Sequence, residues 1–163
     1  MTIRTAAESD LPALTEIYNY EVTNGTATFD IRPKTVVERA EWFREHNKDN
    51  HPLIVAEDGG KILGYASLSP YRDKEAYSPT VELSVYVAPA ACGKGAATAL
   101  LTKILKTAKN DPRTHTVVSV ITAGNDISVH LHEKFGLSYC GTLREIGIKF
   151  GEYRDTVTYT LTI

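Results

Sequence analysis

Apolar and polar positions repeat with two different periods along this chain, and the elements change where the period changes. Alternation marks "TIRTA" as a short strand. In "ESDLPALTEIYNYEV" the period lengthens: Leu11, Leu14, Tyr18 and Val22 fall at helical spacing, with Ser9 or Asp10 as N-cap and Pro12 in the first turn. "TVVERAEWFREHN" predicts a second amphipathic helix. Thr35 and Glu38 stand at capping-box spacing, and Val36, Ala40, Phe43 and Asn47 fall roughly along one side, opposite the charges.

The β-rich runs "PLIVAED" and "KILGYASLS" are separated by Asp58, Gly59 and Gly60, which predicts a hairpin. "TVELSVYVAP" is a further strand, "GKGAATALLTKILKTAKN" a third helix, "HTVVSVITA" a strand, and "NDISVHLHEKFG" a fourth helix closed by Gly136. That order implies a local βαβ unit. The remaining "LSYCGTLREIGIKFGEYRDTVTYTLTI" alternates around a turn at Gly151 and reads as two long strands. The expected fold class is α/β: a mixed sheet with about four helices on both faces.

At 163 residues, 42% of them hydrophobic, the chain is sized for one domain spanning 1–163 with a proper core. The formal charge is −2, and Lys and Arg are scattered, so no binding to nucleic acid or to an anionic membrane is expected. A small molecule or another protein is the expected partner. The first ten residues lack an apolar h-region, and no apolar run approaches the roughly 20 residues that span a bilayer. Cys92 and Cys140 form no CxxC pair and stand near no His at ligand spacing, which argues against a disulfide framework and a metal site. A soluble protein of the reducing cytoplasm is expected.

The candidate chemistry begins at "SVYVAPAACGKGAATALL", where a strand passes through Gly93, Lys94 and Gly95 into a helix. Glycines there allow a ligand close to the backbone, and free N–H groups of the first helical turn favour an anion. The same glycines also serve a plain tight connection. A P-loop would need Ser or Thr after Lys94, where Gly95 stands, and a dinucleotide fingerprint would need Gly or Ala at Thr98.

The stretch resembles the acyl-CoA-binding motif of the GCN5-related N-acetyltransferases: Arg or Gln, two residues, Gly, one residue, then Gly or Ala. Gly95 and Ala97 match, and Cys92 stands where that motif has its basic residue. "IYNYEVTNGTATFD", "VELSVYV", "NDISVHLHEKFGL" and "KFGEYRD" extend the resemblance to the phosphinothricin and methionine sulfoximine acetyltransferase branch. The resemblance implies a sheet splayed at the cofactor site and acetyl-CoA as co-substrate. The backbone at Val85, Tyr86 and Val87 would bond the pantetheine arm, and the amides of Gly93, Lys94, Gly95, Ala96, Ala97 and Thr98 would receive the pyrophosphate. Asn125 and Ser128 match positions near the pantetheine, and they also suit an N-cap and a first turn. A homodimer is implied as well.

Acyl transfer to an amine needs a base for the amine and a proton donor for the leaving thiolate. Glu82, a lone carboxylate in an apolar strand, is the expected base, and the resemblance places the branch's proposed catalytic glutamate there. His132 falls where that branch has histidine, and an imidazole suits either half of the proton transfer. His130, two positions away on the same helix, faces elsewhere. In "SLSPYRDKEAYSPTVE" Arg72 is suited to bind a substrate carboxylate in bidentate fashion and Tyr77 to shape the pocket. Phe29 matches a family position lining the acceptor site. With no base paired to either cysteine, direct transfer in a ternary complex is expected. The acceptor would be the α-amino group of a small amino acid or analogue. Acetylation of a protein N-terminus or other amine, and a non-catalytic acyl-CoA-binding module, stay open as alternatives.

Overall fold

The computed structural model describes residues 1–163. β1 (Thr2–Thr5), β2 (Leu53–Asp58), β3 (Lys61–Pro70) and β4 (Thr80–Val87) pair antiparallel in succession. β4 and β5 (Thr116–Thr122) run parallel, because α3 (Ala96–Asn110) carries the chain back between them. β6 (Ser138–Lys149) and β7 (Glu152–Thr162) form the predicted hairpin, and the sheet order is β1-β2-β3-β4-β5-β7-β6.

Strand alternation assigns the two faces. Val81 and Leu83 of β4 pack with Leu100, Leu101, Ile104 and Leu105, which recur at helical spacing on α3. α4 (Asp126–Lys134) covers the same face through Val129 and Leu131. On the other face α1 (Leu11–Asn24) sets Leu14 and Ile17 against Leu53, Val55 and Tyr65, and Trp42 and Phe43 of α2 (Val36–Arg44) pack beside them. Glu82, Ser84 and Tyr86, the alternate residues of β4, therefore look toward α1 and α2.

Two local expectations are corrected. A 3₁₀ turn, Glu8–Asp10, precedes α1, and Asp10 stands at the N-cap without capping. Its carboxylate is engaged by Arg4 at 2.7 and 2.8 Å and by the Ala7 N–H at 2.8 Å. In α2 the capping box forms, with Thr35 Oγ1 accepting the Glu38 N–H at 3.2 Å and Glu38 Oε2 accepting the Thr35 N–H at 2.7 Å. The buried residue of this helix is Arg39, however, while Val36 is 43% exposed. Asn47 lies beyond the helix end with φ 57°.

The β4–β5 ladder sets up the site. It holds only three pairs, Thr80↔Thr116, Val81↔Val117 and Glu82↔Val118, and then stops. β4 continues with β3 as far as Gly64↔Val87, while β5 continues with β7 to Thr122↔Thr156. The expected splay is present, and Glu82 stands at its vertex.

Candidate active site

Gly93 and Gly95 sit at φ 74° and 82°, in the left-handed region that glycine enters without a Cβ penalty. Gly95 is the N-cap of α3. The turn leaves the N–H groups of Gly93, Gly95, Ala96, Ala97 and Thr98 without an acceptor in the protein. Lys94 departs from the expectation, since its N–H is bonded to Ala91 O at 3.3 Å. Five free amides at the positive end of a 15-residue helix suit a diphosphate without a metal. Cys92 is exposed and turns its thiol toward Ala88 O at 3.7 Å, so the motif's basic position contributes no charge. Beyond Glu82 the β5-facing edge of β4, including Val85, Tyr86 and Val87, has no strand partner.

The cleft between the parted strands is lined by Leu83, Ser84, Val85 and Tyr86 on one side and by Ser119, Asn125, Ser128 and His132 on the other. Asn125 Oδ1 accepts the Ser128 N–H at 3.2 Å, so the capping role of Asn125 is realised while both residues line the cleft. His132 is 2% exposed. Its Nδ1 lies 2.7 Å from Ser128 O, and a carbonyl can only accept, so Nδ1 carries the hydrogen. Nε2 then accepts the Ser119 hydroxyl at 2.9 Å. Burial holds the imidazole pKa below its ordinary value, which favours the neutral ring. His130 is exposed and bonds Asp126 O, on a separate face as expected.

A pocket of about 360 Å³ opens on the α1–α2 face. Tyr65, Ser67 and Ser69 of β3, Ser84 and Tyr86 of β4, and Tyr18, Arg39 and Trp42 of the helices form its walls. Cross-strand register orders them: Tyr65↔Tyr86, Ser67↔Ser84, Ser69↔Glu82. Ser84 and Tyr86 line both the pocket and the cleft, so the two spaces meet across β4. Glu82 follows Ser84 on the same face and is half-buried. Burial pushes its carboxyl pKa up, and the positive charge of Arg72 pulls it part of the way back.

The three expected acceptor residues are not brought into this pocket. Arg72 is exposed, lies 5.1 Å from the Tyr71 ring centroid, and lines a separate surface cavity with Tyr77. Tyr77 meets Tyr71 edge-on at 5.6 Å. The Phe29 ring covers Gly147, where a Cβ would come within 2.6 Å of it. Lys74 and Glu75 are exposed loop charges, as expected. What the sequence reading missed is the other wall: Arg39, Tyr18, Trp42 and the serines of β3. Two signals were available, Trp42 three residues beyond Arg39 on one helix face and the polar Ser67 and Ser69 alternating with apolar residues in "YASLS". His46 was missed too, with Nδ1 on Trp42 O at 2.8 Å and Nε2 on Ser69 Oγ at 2.9 Å.

Comparison with known proteins agrees with this arrangement. The profile of the acetyltransferase (GNAT) family matches residues 14–137. The chain is 41% identical over 160 residues to a phosphinothricin N-acetyltransferase of Streptomyces coelicolor, covering 96% of this chain and 93% of the relative. It is 35% identical over 155 residues to an L-methionine sulfoximine/L-methionine sulfone acetyltransferase of Salmonella typhimurium, covering 95% and 90%. Among solved structures, a phosphinothricin acetyltransferase of Sinorhizobium meliloti in complex with acetyl-CoA superposes with a TM-score of 0.93 at 33% identity, covering 99% of this chain and 88% of the other. A ribosomal-protein-alanine N-acetyltransferase of Brucella melitensis superposes at 0.96 with 38% identity, covering both chains fully. The chain belongs to the acetyltransferase (GNAT) family, and by that membership it is an acetyltransferase.

Proposed function

We propose that this protein moves the acetyl group of acetyl-CoA to the α-amino group of a small amino acid or analogue of the phosphinothricin, methionine sulfoximine or methionine sulfone type, by direct transfer in a ternary complex. The observation that carries the reading is the meeting of the cleft and the pocket at Ser84 and Tyr86, with Glu82 on the same face of β4. Acetyl-CoA supplies the thioester carbonyl. The free amides of the Gly93–Thr98 turn hold its diphosphate, the open edge of β4 at Val85–Val87 and the cleft residues Asn125 and Ser128 take the pantetheine, and no metal is needed.

Glu82 accepts the proton that the amine gives up, directly or through a water. Ser119 and His132 form a relay for the proton that the departing thiolate gains: once the ring takes up a proton at Nε2, Nε2–H donates to Ser119 Oγ and the Ser119 hydrogen is freed to pass to the sulfur, the ring returning to its neutral form. Arg72, beside Glu82 on the outer loop, tunes the carboxylate and draws an anionic acceptor to the entrance. Tyr77 and Phe29 hold the surrounding loops.

A peptide N-terminus is the second reading, favoured by the name of the Brucella melitensis structure. The pocket, at the small end of the range for ligand sites, suits a single amino acid better. The exposed apolar residues of the β6–β7 hairpin support a homodimer, and the free, exposed cysteines suit a cytoplasmic protein. No helix is long and apolar enough to cross a membrane.

Release of coenzyme thiol across a panel of amino acids, amines and peptides tests the reading. Single amino acids should give the highest kcat/KM, and Glu82→Gln should lower it by about 10²- to 10³-fold, as for loss of a general base. Faster turnover of peptides would transfer the assignment to the second reading. Tight acetyl-CoA binding with no release to any acceptor would leave only a binding module.

A further inference from the structure

Arg39 is the one α2 residue that the fold buries, at 6% exposure, and it has no acidic partner within ion-pair distance. Its guanidinium lies 3.7 Å from the Trp42 ring centroid and 4.3 Å from that of Tyr18. Of its five N–H donors it uses one, Nη2 to Tyr65 Oη at 3.1 Å, and its buried Nε has no partner. Ring faces compensate a cation only in part, and a buried charge without a counter-ion is costly. Burial pushes the Tyr18 and Tyr65 phenols up, so neither supplies a negative charge. The acids at the rim are committed elsewhere: Asp30 accepts the Tyr18 hydroxyl at 2.6 Å with Lys34 at 3.5 Å, and Glu38 is held by Arg32 at 2.7 Å and by the Thr35 cap.

The same wall carries two further unused polar groups. The hydroxyls of Ser67 and Ser84, paired across β3 and β4, have no protein partner and line the pocket with Arg39. A guanidinium stacked on rings offers its N–H edge, and that edge with two hydroxyls matches an oxygen-bearing group.

We infer that Arg39, with Ser67 and Ser84, binds the oxygen-bearing end of the acceptor's side chain, anionic or strongly dipolar, and so sets specificity among amino acids. The inference rests on the acceptor reading given above. It places the two ends of the substrate by register. The amine belongs near Glu82, at the Ser69 end of the pocket. Arg39 bonds Tyr65, which pairs with Tyr86, four residues and about 13 Å along β4 from Glu82. An α-carboxylate, two bonds from the amine, stays at the Glu82 end, whereas the far end of an extended side chain points toward Arg39.

Three acceptors test this: methionine sulfone, norleucine, and the decarboxylated sulfone 3-(methylsulfonyl)propylamine. For Arg39→Lys, which keeps the charge but loses the fork, the ratio of kcat/KM for methionine sulfone over norleucine should fall about 10- to 100-fold, the range of a charge-assisted hydrogen bond. The decarboxylated sulfone should lose as much as methionine sulfone. Equal losses on sulfone and norleucine would overturn the inference. So would losses on both amino acids with the decarboxylated sulfone spared, because Arg39 would then read the carboxylate. Ser67→Ala leaves the aromatic stack intact and should lower the same ratio about 3- to 10-fold. An unchanged ratio in that variant, with Arg39→Lys failing to fold, also overturns it. Calorimetric binding of methionine sulfone separates this from the reading beneath it. Binding that weakens in Arg39→Lys without acetylation by the wild type would refute the transferase assignment and keep the subsite. Turnover of norleucine with no binding of the sulfone would do the reverse.

Discussion

Glu82 lies between opposing influences, with burial pushing its pKa up and Arg72 pulling it down. In the base role proposed for it, Glu82 works only when deprotonated, so activity should be gained as pH rises through its pKa. Arg72→Ala removes the charge that favours the carboxylate, the pKa rises further, and the acid limb of kcat/KM against pH should move to higher pH. A limb that stays put or moves down would remove Arg72 from the neighbourhood of the base. Glu82 could be singled out at this scale as a lone carboxylate in an apolar strand, and His132 through the family segment it falls on; the structure places one at the vertex of the splay and the other in the cleft, and their roles are those proposed above. Arg39 could not be singled out. Its neighbours Tyr18 and Tyr65 come from other elements, and a charged helix residue is solvated unless such partners cover it. Arg72 illustrates the converse, since a loop arginine close in sequence to the base proves to open onto a different cavity.

At the scale of elements, β6 is the edge strand of the sheet, and its hairpin with β7 leaves Leu143, Ile146, Ile148 and Tyr153 between 55 and 68% exposed. An unpaired edge carrying such residues is a natural surface for a second copy of the chain. Sedimentation should show a dimer for the wild type, and the pair Ile148→Glu and Tyr153→Glu should give a monomer that keeps its circular dichroism spectrum. A wild-type monomer at micromolar concentration would contradict the dimer. The two strands around Gly151 and the α3 helix ending at Asn110 were readable from periodicity and glycine placement, but α3 starts at Ala96 behind a Gly95 N-cap rather than within the glycine turn. The face of α2 was misjudged because the helix ends at Arg44, so Asn47 never joined it, and because the sheet draws in Arg39, Trp42 and Phe43 rather than Val36.

For the whole molecule, the βαβ order foretold a parallel pair, but no local pattern in β4 or β5 says that their ladder stops after three pairs. That stop depends on β5 following β7 while β4 follows β3, a property of the assembled sheet. It also creates the central feature of the account, a cleft and a pocket that share Ser84 and Tyr86 and so permit transfer without a covalent stop on the protein. The alternative carriers of an acetyl group are the exposed thiols of Cys92 and Cys140 and the Ser119 hydroxyl bonded to His132. The most direct test is a single turnover with enzyme in excess over acetyl-CoA, following free thiol and intact protein mass with and without an acceptor amino acid. The account predicts no thiol and no gain in mass until the acceptor is added, then thiol release equal to the acetylated amino acid formed. Thiol release before the acceptor, with one acetyl group gained on the protein, would contradict it.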